Sequence, residues 1–464
     1  MTSTARYDAT ELRAALTGQL IEPTDGRYDE ARKVFNADID RRPALIAQCA
    51  SSGDVAAAVE FARRNGLEIA VRSGAHSMSG ASTVEDGLVI DLSAMRGVTV
   101  DPAKWVARVQ GGALNSDMDA ATQAHGLAVT AGMVGHTGLG GLTLGGGMGW
   151  LSRKAGLTID NLLSAEIVVA DGRVLRISET EHPDLFWAVR GGGGNFGVVT
   201  EFELRLTEVG PTVQFGLLLW PLERGVEALQ ALRTVVGDLP PNVNAMIAGA
   251  DAPPAPFVPE EHHLLPCLGV ILVGFGTDDE FEGVAERIRS QSRPLIDATM
   301  PLPYTAVQTL FDEANPWGNH YYDKSCYLPD FTDEVIEVVV EHFARKQSPL
   351  SVMLTYRLDA AYCEPEEDAT AFSGGRSPRY IVFLIANAAE PSLLPAEREW
   401  VRGFWEALRP MSMGSGTYVN GITEYDEDRV LASYGTAKYA RLAAIKSQYD
   451  PGNLFHRNVN VKPA

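Results

Sequence analysis

The chain has 464 residues, more than one ordinary domain needs, and this length predicts about two or three domains. An apolar content of 45% and a charged content of 21% are typical of a globular protein and exclude a disordered chain. The net charge of −21 repels nucleic acid and anionic membrane surfaces, so neither is expected as a partner. The four cysteines are scattered without a CxxC pair, which predicts no metal site and no disulfide framework.

The composition also bears on location. The first residues contain no apolar core of a signal peptide, and no segment reaches the ~18 apolar residues of a membrane span. Unpaired cysteines agree with a reducing compartment. We therefore expect a cytoplasmic protein that does not insert into a membrane.

The first third of the chain alternates helices and strands. Residues 54–66 place apolar side chains at helical spacing, with Asp54 as the predicted cap at the start and Gly66 at the end. His76 lies at the tip of a glycine turn. The other predicted elements of this part are strands at 67–71, 88–92, 98–109 and 127–130 and a helix at 115–126. The alternation favours an α/β or α+β core.

Farther along, Asp171 and Gly172 predict a tight hairpin. Beyond residue 207 glycines become rarer and long apolar strands appear, which predicts a second domain. Its predicted strands are 213–220, 268–274, 352–356 and 380–386. Its predicted helices are 278–291, 333–346 and 395–408. The apolar face of residues 333–346 suits a helix that lies over a sheet.

Three glycine-rich segments, 70–80, 132–149 and 190–200, need a reason because glycine is costly in regular structure. The second contains nine glycines in eighteen residues. Loop flexibility is one interpretation. None of the three has the strand, helix and acidic residue of a dinucleotide-binding fingerprint, and none matches the GxxxxGK[ST] phosphate loop. The other interpretation is that backbone N–H groups from several loops surround a large anion such as a pyrophosphate.

His76 has two interpretations. A histidine in a turn is usually a surface residue. Here its small neighbours would allow a bulky ligand to reach the ring, and Arg72 could donate hydrogen bonds to a pyrophosphate. We therefore predict that the turn contacts a ligand.

Four segments together resemble a known family. They read VRSGAHS at 71–77, GLGGLTLGGGMGWLSRKAGLTIDNLLSAEIVVADG at 138–172, FWAVRGGGGNFGVVTEFEL at 186–204 and YDPGNLFHRNVNVKP at 449–463. In this order they are similar to the berberine-bridge-enzyme-like flavin-linked oxidases of the vanillyl-alcohol-oxidase superfamily. The resemblance implies an α+β fold with a two-part PCMH-type FAD-binding domain, residues 1–207 and 412–464. Residues 208–411 are then an inserted substrate-binding domain, an antiparallel sheet covered by helices.

The resemblance implies that FAD is the cofactor and that His76 bonds covalently to a methyl carbon of its ring. Such a bond should keep the cofactor in place and raise its potential. Many relatives add a cysteinyl bond, but Val134 stands at the matching position, so we predict the bond through His76 only. The FAD-binding residues implied are Arg72, Ser73, Gly74, Ala75, His76, Ser77, Thr137, Gly138, Gly140, Gly141, Thr143, Gly145, Gly146, Gly147, Gly149, Trp150, Asn161, Gly197, Val198, Asn458 and Asn460.

Three residues are predicted to be catalytic. Tyr418 matches the tyrosine of the family's Y-x-N motif and is predicted to take the proton of the substrate. Because a free tyrosine has a pKa of ~10, a cation or a hydrogen bond must lower that pKa. The resemblance implies Lys324 as the cation, since its position is frequently lysine in the similar proteins. His136 is predicted to face substrate or flavin. Thr137 matches a position that gates oxygen, which favours an oxidase over a dehydrogenase.

Four further side chains, Tyr321, Tyr322, Tyr356 and Arg357, are candidates for the substrate pocket, with plain packing or a solvated surface as the alternative. The first functional hypothesis is hydride removal from a C–H next to a hydroxyl of a sugar or secondary metabolite. The second is oxidation at a C–N bond, as in bacterial hydroxynicotine oxidases, which the flavin segments also resemble. The third is a flavin-binding protein without turnover. We expect a small-molecule substrate, molecular oxygen and a homodimer as partners.

Overall fold

The computed structural model describes residues 8–255, 258–414, 416–424 and 426–464. The fold is α+β, with both chain ends in one unit and an antiparallel sheet between them in sequence. Within the described residues, no helix is both long and apolar enough to cross a membrane.

The described residues of the N-terminal part, from residue 8 onward, form eleven strands and seven α-helices. The strands are β1 (Gln19–Ile21), β2 (Leu45–Gln48), β3 (Ile69–Arg72), β4 (Leu88–Asp91), β5 (Val98–Asp101), β6 (Val106–Gln110), β7 (Leu127–Ala128), β8 (Leu162–Val168), β9 (Val174–Ser178), β10 (Val198–Arg205) and β11 (Thr207–Glu208). The helices are α1 (Thr10–Ala15), α2 (Tyr28–Ala31), α3 (Ser52–Asn65), α4 (Asn115–Gln123), α5 (Leu139–Gly145), α6 (Ser152–Ala155) and α7 (Pro183–Val189).

These strands form two main sheets. The first has the order β1-β2-β4-β3, and β4 pairs in parallel with both β2 and β3. The second is antiparallel with the order β5-β6-β10-β8-β9. The short strands β7 and β11 pair with each other. The predicted hairpin is present as β8 and β9, and its Gly172 has a φ of 88°, which glycine adopts without steric cost.

Helix α3 shows how local sequence determines an element and where it does not. The helix ends before Gly66, whose φ of 62° is the left-handed conformation expected there. Its cap, however, is Ser51, whose side chain accepts the backbone N–H of Asp54. The Asp54 carboxylate instead accepts N–H bonds from Thr17 and Gly18 and so ties the first strand to the helix.

The middle of the chain forms a seven-stranded antiparallel sheet. Its strands are β12 (Thr212–Pro221), β13 (Val243–Asp251), β14 (Pro266–Gly274), β15 (Ile296–Pro303), β16 (His320–Leu328), β17 (Val352–Leu358) and β18 (Arg379–Ala388), in the order β15-β12-β14-β13-β17-β18-β16. Its helices are α8 (Gly225–Val236), α9 (Asp278–Gln291), α10 (Tyr304–Gln308), α11 (Asp333–Phe343) and α12 (Leu394–Leu408). The sequence prediction missed β13, β15, β16, α8 and α10.

One face of this sheet packs under helices α8, α9, α11 and α12 and forms the largest apolar core. The alternation of β16 shows the two faces. Tyr322 and Cys326 belong to the helix-covered core, whereas Tyr327 packs on the opposite face with Tyr356 and Tyr418. This opposite face is turned toward the FAD-binding part.

The C-terminal residues return to the N-terminal part through α13 (Glu427–Tyr449) and the segment after it. Lys446 is fully buried, lies 2.8 Å from an oxygen of Asp450, and donates to the carbonyl oxygens of Asn195 and Phe455. The Asn195 side chain in turn bonds to the backbone of Val459 and Val461. These contacts attach the chain terminus to the third glycine segment. The exact domain boundaries, 207/208 and 411/412, stay predictions.

Candidate active site

A cleft of about 410 Å³ lies between the FAD-binding part and the uncovered face of the seven-stranded sheet. The three glycine segments and the C-terminal segment all contribute to its lining. The predicted residues that line it are Ser73, Gly74, Ala75, His76, Ser77, Thr137, Gly138, Gly140, Gly141, Gly197, Val198, Tyr418 and Asn458. Segments that are more than 300 residues apart in sequence therefore meet at one site.

His76 is placed by the turn that follows β3. Ala75 before it has a φ of 55°, unusual for a residue with a side chain, and its carbonyl accepts the backbone N–H of Phe35 at 3.1 Å. The imidazole stacks on the Phe35 ring at 4.0 Å between centroids, and Phe35 stacks on Tyr321 at 4.3 Å. This packing fixes the plane of the imidazole against the cleft.

His136 lies beside His76. The Nδ1 atom of His136 is 2.6 Å from Nε2 of His76, and the Thr137 hydroxyl is 3.4 Å from Nδ1 of His76. Burial and the neighbouring imidazole lower the pKa of His76 to about 3. His76 is therefore neutral at physiological pH, as a nucleophilic imidazole must be.

The first two glycine segments approach each other more closely than side chains would allow. A Cβ added to Gly74 would lie 2.2 Å from the backbone nitrogen of Gly138, and one added to Gly138 would lie 2.1 Å from that of Gly74. In contrast, a Cβ on Gly141 would meet no atom within 4 Å, since this residue faces the open cleft. Glycine is thus required at the first two positions by backbone contact and leaves room at the third.

The cleft has the polar groups that a dinucleotide needs. The hydroxyls of Ser73 and Ser82 are buried against it without a hydrogen-bond partner among the described residues. Within the same described part of the chain, no lysine or arginine lines the cleft. A pyrophosphate would therefore be held by hydroxyl and backbone N–H groups, which fits the glycine-rich loops.

Tyr418 is buried where the two parts of the molecule meet. Its phenolic oxygen accepts the backbone N–H of Gly147 and the side-chain N–H of Asn420, each at 3.0 Å. The rings of Phe372 and Phe383 pack around it, with centroids at 6.1 and 6.3 Å. Burial raises the pKa of Tyr418 to about 12, while these two donors oppose the rise.

The sheet side of the cleft presents Asp323, Tyr356 and Phe383, from three adjacent strands. The apolar side chains of Met133, Met148 and Ile422 complete this wall. Asp323 is buried, its backbone N–H donates to the Thr423 hydroxyl, and burial raises the pKa of its carboxyl to about 6. It is the one charged side chain that lines the cleft within the described ranges.

The prediction for Arg72 was wrong in its orientation. Its guanidinium points away from the cleft and forms a buried ion pair with Asp91 at 2.5 Å. It also donates to the carbonyl oxygens of Ala31 and Lys33. Arg72 is a structural residue because the last position of β3 turns its side chain into the neighbouring layer.

The prediction that Lys324 assists Tyr418 was also wrong. Lys324 lies on the helix-covered face of β16, 3.8 Å from Glu424 and above the Trp405 ring at 4.8 Å. Side chains alternate between the faces of a strand, so the residue before it, Asp323, faces the cleft instead. The phenol of Tyr418 has amide donors and no ammonium partner among its hydrogen bonds in the described structure.

Several predicted FAD contacts do not line the cleft: Thr143, Gly145, Gly146, Gly147, Gly149, Trp150, Asn161 and Asn460. Trp150 belongs to the apolar core, and the Asn161 side chain donates to the carbonyls of Ala155 and Leu157. Gly146 and Gly147 instead pack against or hydrogen-bond to Tyr418. Gly146 and Gly147 therefore help to position Tyr418.

The four candidates for the substrate pocket also divide into residues that line the cleft and residues that do not. Tyr356 lines the cleft, whereas the other three contact residues elsewhere. Tyr321 stacks behind Phe35, and its hydroxyl donates to Pro316. Tyr322 donates to Glu424 on the helix side, and Arg357 pairs with Asp359 at 2.9 Å.

Sequence reasoning missed Phe35, Ser82 and Asp323. Phe35 lies in no motif, and nothing local indicates that it stacks on a histidine forty-one positions away. Asp323 could have been found had β16 been recognised, since the period of a strand places it opposite Lys324. Among the described residues, no group of His, Cys, Asp or Glu is arranged to hold a metal ion.

The loops, the neutral imidazole and the glycine cradle define a site for a flavin dinucleotide, and comparisons with known proteins agree. Residues 43–178 match the FAD binding domain family, and residues 417–462 match the berberine and berberine-like family. An FAD-linked oxidoreductase of Dictyostelium discoideum is 30% identical over 436 residues, covering 93% of this chain and 91% of the relative.

A second relative, (R)-6-hydroxynicotine oxidase of Paenarthrobacter nicotinovorans, is 32% identical over 465 residues and covers 97% of both chains. The crystal structure of 6-hydroxy-D-nicotine oxidase from Arthrobacter nicotinovorans superposes with a TM-score of 0.87 at 29% identity, covering 99% of this chain and 100% of that one. The chain therefore belongs to the berberine-bridge-enzyme-like FAD-linked oxidoreductases, and its fold is the PCMH-type one. It is an FAD-dependent oxidoreductase.

Proposed function

We propose that this protein is an oxidase that removes hydride from a C–H next to a hydroxyl of a small hydroxylated metabolite or sugar. FAD, when bound, accepts the hydride at N5 of its ring system. The observation that carries the proposal is the environment of Tyr418, a buried phenol in the cleft with two N–H groups directed at its oxygen.

Tyr418 acts in this proposal as the base. An alcohol loses hydride readily only as its O–H proton leaves, so a proton acceptor must touch the hydroxyl. The N–H groups of Gly147 and Asn420 stabilise negative charge on the phenolic oxygen and leave one direction free for the substrate. These two donors oppose the rise in the pKa of Tyr418 that burial causes, without cancelling it.

The lining of the sheet-side wall supports a substrate class. Met133, Met148, Phe383 and Ile422 offer apolar surface, whereas a long oligosaccharide would need a row of polar side chains. We therefore favour a small, largely apolar alcohol, such as a hydroxylated secondary metabolite, over an extended sugar chain.

The cofactor would be held by both chain ends. Ser73, Gly74, Ala75 and Ser77 would surround the pyrophosphate together with the segments at Gly138, Gly140 and Gly141 and at Gly197, Val198 and Asn458. His76 would carry the covalent bond. None of the four cysteines lies among the cleft-lining residues of the described structure, and Val134 occupies the matching position, which supports a bond through His76 alone.

Dioxygen is the proposed electron acceptor. Thr137 lines the cleft beside His76 and is small and β-branched, which leaves room for oxygen. The relative from Paenarthrobacter nicotinovorans is an oxidase by name. A homodimer and a cytoplasmic location stay predictions, and sedimentation and fractionation experiments would test them.

A second candidate function is oxidation at a C–N bond, and Asp323 is the observation that favours it. This carboxyl lines the cleft, and a cationic amine beside it would find a counter-ion there. The likeness to a hydroxynicotine oxidase over 97% of both chains points the same way.

The deciding experiment is a screen of alcohols, sugars and amines by hydrogen peroxide release. We expect peroxide with apolar alcohols and bleaching of the flavin absorption by the same compounds without oxygen. Bleaching by amines alone would select the second function. Failure of all classes to bleach the flavin would support a flavin-binding protein without turnover.

A further inference from the structure

The Asp323 carboxylate keeps part of its hydrogen-bonding capacity free for the cleft. Asp323 is 5% exposed and belongs to the lining of the cleft. The Thr423 hydroxyl donates to its Oδ1 atom, and within the described ranges no second side chain donates to the carboxylate. The two oxygens of a carboxylate accept about four hydrogen bonds. A donor that enters the cleft therefore finds unused acceptor positions on this group.

Asp323 also has no cationic partner in the cleft. Burial raises the pKa of its carboxyl to about 6, while the hydrogen bond from Thr423 and the charges of Lys324 and Arg429 oppose the rise. These two cations lie on the helix-covered side of the sheet, 4.8 and 5.0 Å from the centre of the Trp405 ring. A buried carboxylate is stabilised by a cation in direct contact. Such a cation would have to come from a ligand in the cleft.

Phe383 connects Asp323 with Tyr418 along the sheet-side wall. In the pairing of β16 with β18, Ser325 lies opposite Phe383, and Asp323 is two residues away on the same face. Such diagonal neighbours have Cα atoms about 7–8 Å apart. The ring of Phe383 is 6.3 Å from the ring of Tyr418 between centroids. A molecule that lies on Phe383 therefore reaches the phenol with one end and the carboxylate with the other.

The rest of this wall offers a ligand little polar contact. Met133, Met148 and Ile422 contribute apolar surface to it. Tyr356 has a hydroxyl, but this hydroxyl donates to the sulfur of Met133 at 2.7 Å. The wall therefore fits a ligand with a hydroxyl at one end, a cation at the other and hydrocarbon between them.

We propose that the substrate is an amino alcohol whose protonated amine binds Asp323 while the C–H next to its hydroxyl is oxidised at Tyr418. This inference rests on the proposed oxidation of an alcohol. It differs from the second candidate function, since the amine is the anchor and is not oxidised. The carbinol carbon loses a hydride, its hydroxyl loses a proton, and a carbonyl forms. Dioxygen takes the two electrons and two protons and becomes hydrogen peroxide, while the nitrogen keeps all its bonds.

The first test is a binding measurement on the holoenzyme without turnover. Benzylammonium and its neutral isostere ethylbenzene are titrated against the oxidised flavin without oxygen, and the change in flavin absorption gives each Kd. A hydrogen bond to a charged group should make benzylammonium bind about 30-fold more tightly. Equal dissociation constants, or no binding of benzylammonium, would overturn the proposal. This comparison needs no variant.

The second test assigns the preference to one carboxylate. Asp323→Asn should bind benzylammonium about 30-fold more weakly and ethylbenzene as the wild type does. Asp86→Asn removes the same charge from an exposed position with a φ of 52°, a conformation that asparagine also tolerates, and should bind both compounds normally. An equal loss in the two variants would assign the preference to the net charge and contradict the proposal.

The third test uses pH to show that the charge of Asp323 is what binds. Between pH 7.5 and 5 the Kd of benzylammonium should rise about 10-fold in the wild type, because the carboxyl takes up a proton, and stay constant in Asp323→Asn. The other charged or titratable groups near this wall keep their state over the range: Lys324, Arg429, Glu424, Tyr356 and Tyr418. The same pH dependence in both proteins would contradict the proposal.

Turnover separates this inference from the proposed function. An amine-bearing analogue of any alcohol that bleaches the flavin should have a kcat/KM about 30-fold higher and should give a carbonyl product without release of ammonia. Bleaching by alcohols without a preference for benzylammonium would disprove only the role of Asp323. If no alcohol bleaches the flavin, the proposed function and the amino alcohol both fail, even where benzylammonium binds. Oxidation of the amine itself would exclude its role as an anchor.

Discussion

The two walls of the cleft differ in how directly the sequence determines them. One wall, here called the glycine wall, is formed by the glycine-rich segments 70–80, 132–149 and 190–200. In this wall the residue type itself encodes the constraint, because Gly74 and Gly138 approach too closely for any side chain. In the sheet wall, Asp323, Tyr356 and Phe383 reach the cleft only through the register of three strands. A shift of one residue moves every side chain of a strand to the opposite face. Motifs therefore locate the cofactor far better than the substrate.

The largest effect should come from Tyr418, which is buried where the two parts of the molecule meet. Tyr418→Phe removes the oxygen that Gly147 and Asn420 prepare for negative charge, and flavin reduction by substrate should slow about a thousandfold with FAD still bound. Stopped-flow absorption without oxygen measures it. Tyr362→Phe, a buried tyrosine whose hydroxyl donates to Gly375, is the matched control and should reduce normally. Near-normal reduction in Tyr418→Phe would exclude the base.

The second prediction concerns Arg72, which lies next to the first glycine turn and pairs with Asp91. Arg72→Ala leaves the Asp91 carboxylate buried without its partner, which should cost about 3–5 kcal/mol of unfolding free energy. Urea unfolding should show this loss equally with and without FAD. Arg13→Ala breaks an exposed pair with Glu22 and should cost less than about 1 kcal/mol. A loss of unfolding free energy that appears only in the FAD-bound protein would show that Arg72 contacts the cofactor.

A third prediction tests the charge on the sheet wall through pH. The pKa of Asp323, about 6, lies above the ordinary value, so the folded state keeps a proton that the unfolded state releases. Stability of the substrate-free protein should therefore fall by about 2–3 kcal/mol, relative to Asp323→Asn, as the pH rises from about 4 to above 6. If the unfolding free energies of the two proteins, measured in urea, change with pH in parallel, then the pKa of Asp323 is not raised in the folded protein. That result would contradict the prediction.

The smallest effect should come from the other face of the same strand. Lys324→Met removes an ammonium that lies over Trp405, outside the cleft, and flavin reduction should change less than about twofold. Comparison with Tyr418→Phe in the same assay makes the contrast direct. A loss as large as that of Tyr418→Phe would show that the lysine acts on the base after all.

These contrasts explain how far the sequence could predict the site. The turn at His76, the glycine segments and Tyr418 were found because their neighbours in sequence carry the pattern. Arg72 was placed on the wrong side because a strand end gives no local sign of which layer its side chain enters. Lys324 was predicted to assist Tyr418 because its position is frequently lysine in similar proteins. Since β16 was not recognised as a strand, the alternation of its side chains was not used to test this prediction. Phe35 acts on His76 only through tertiary packing, which no motif records.

The covalent attachment at His76 is the central claim, and peptide mapping of the acid-precipitated protein tests it most directly. We predict that the flavin stays in the precipitate, on one peptide that contains His76, and that His76→Ala releases all of it. Flavin that is released from the wild-type protein, or found on a cysteine-containing peptide, would contradict the single bond through His76.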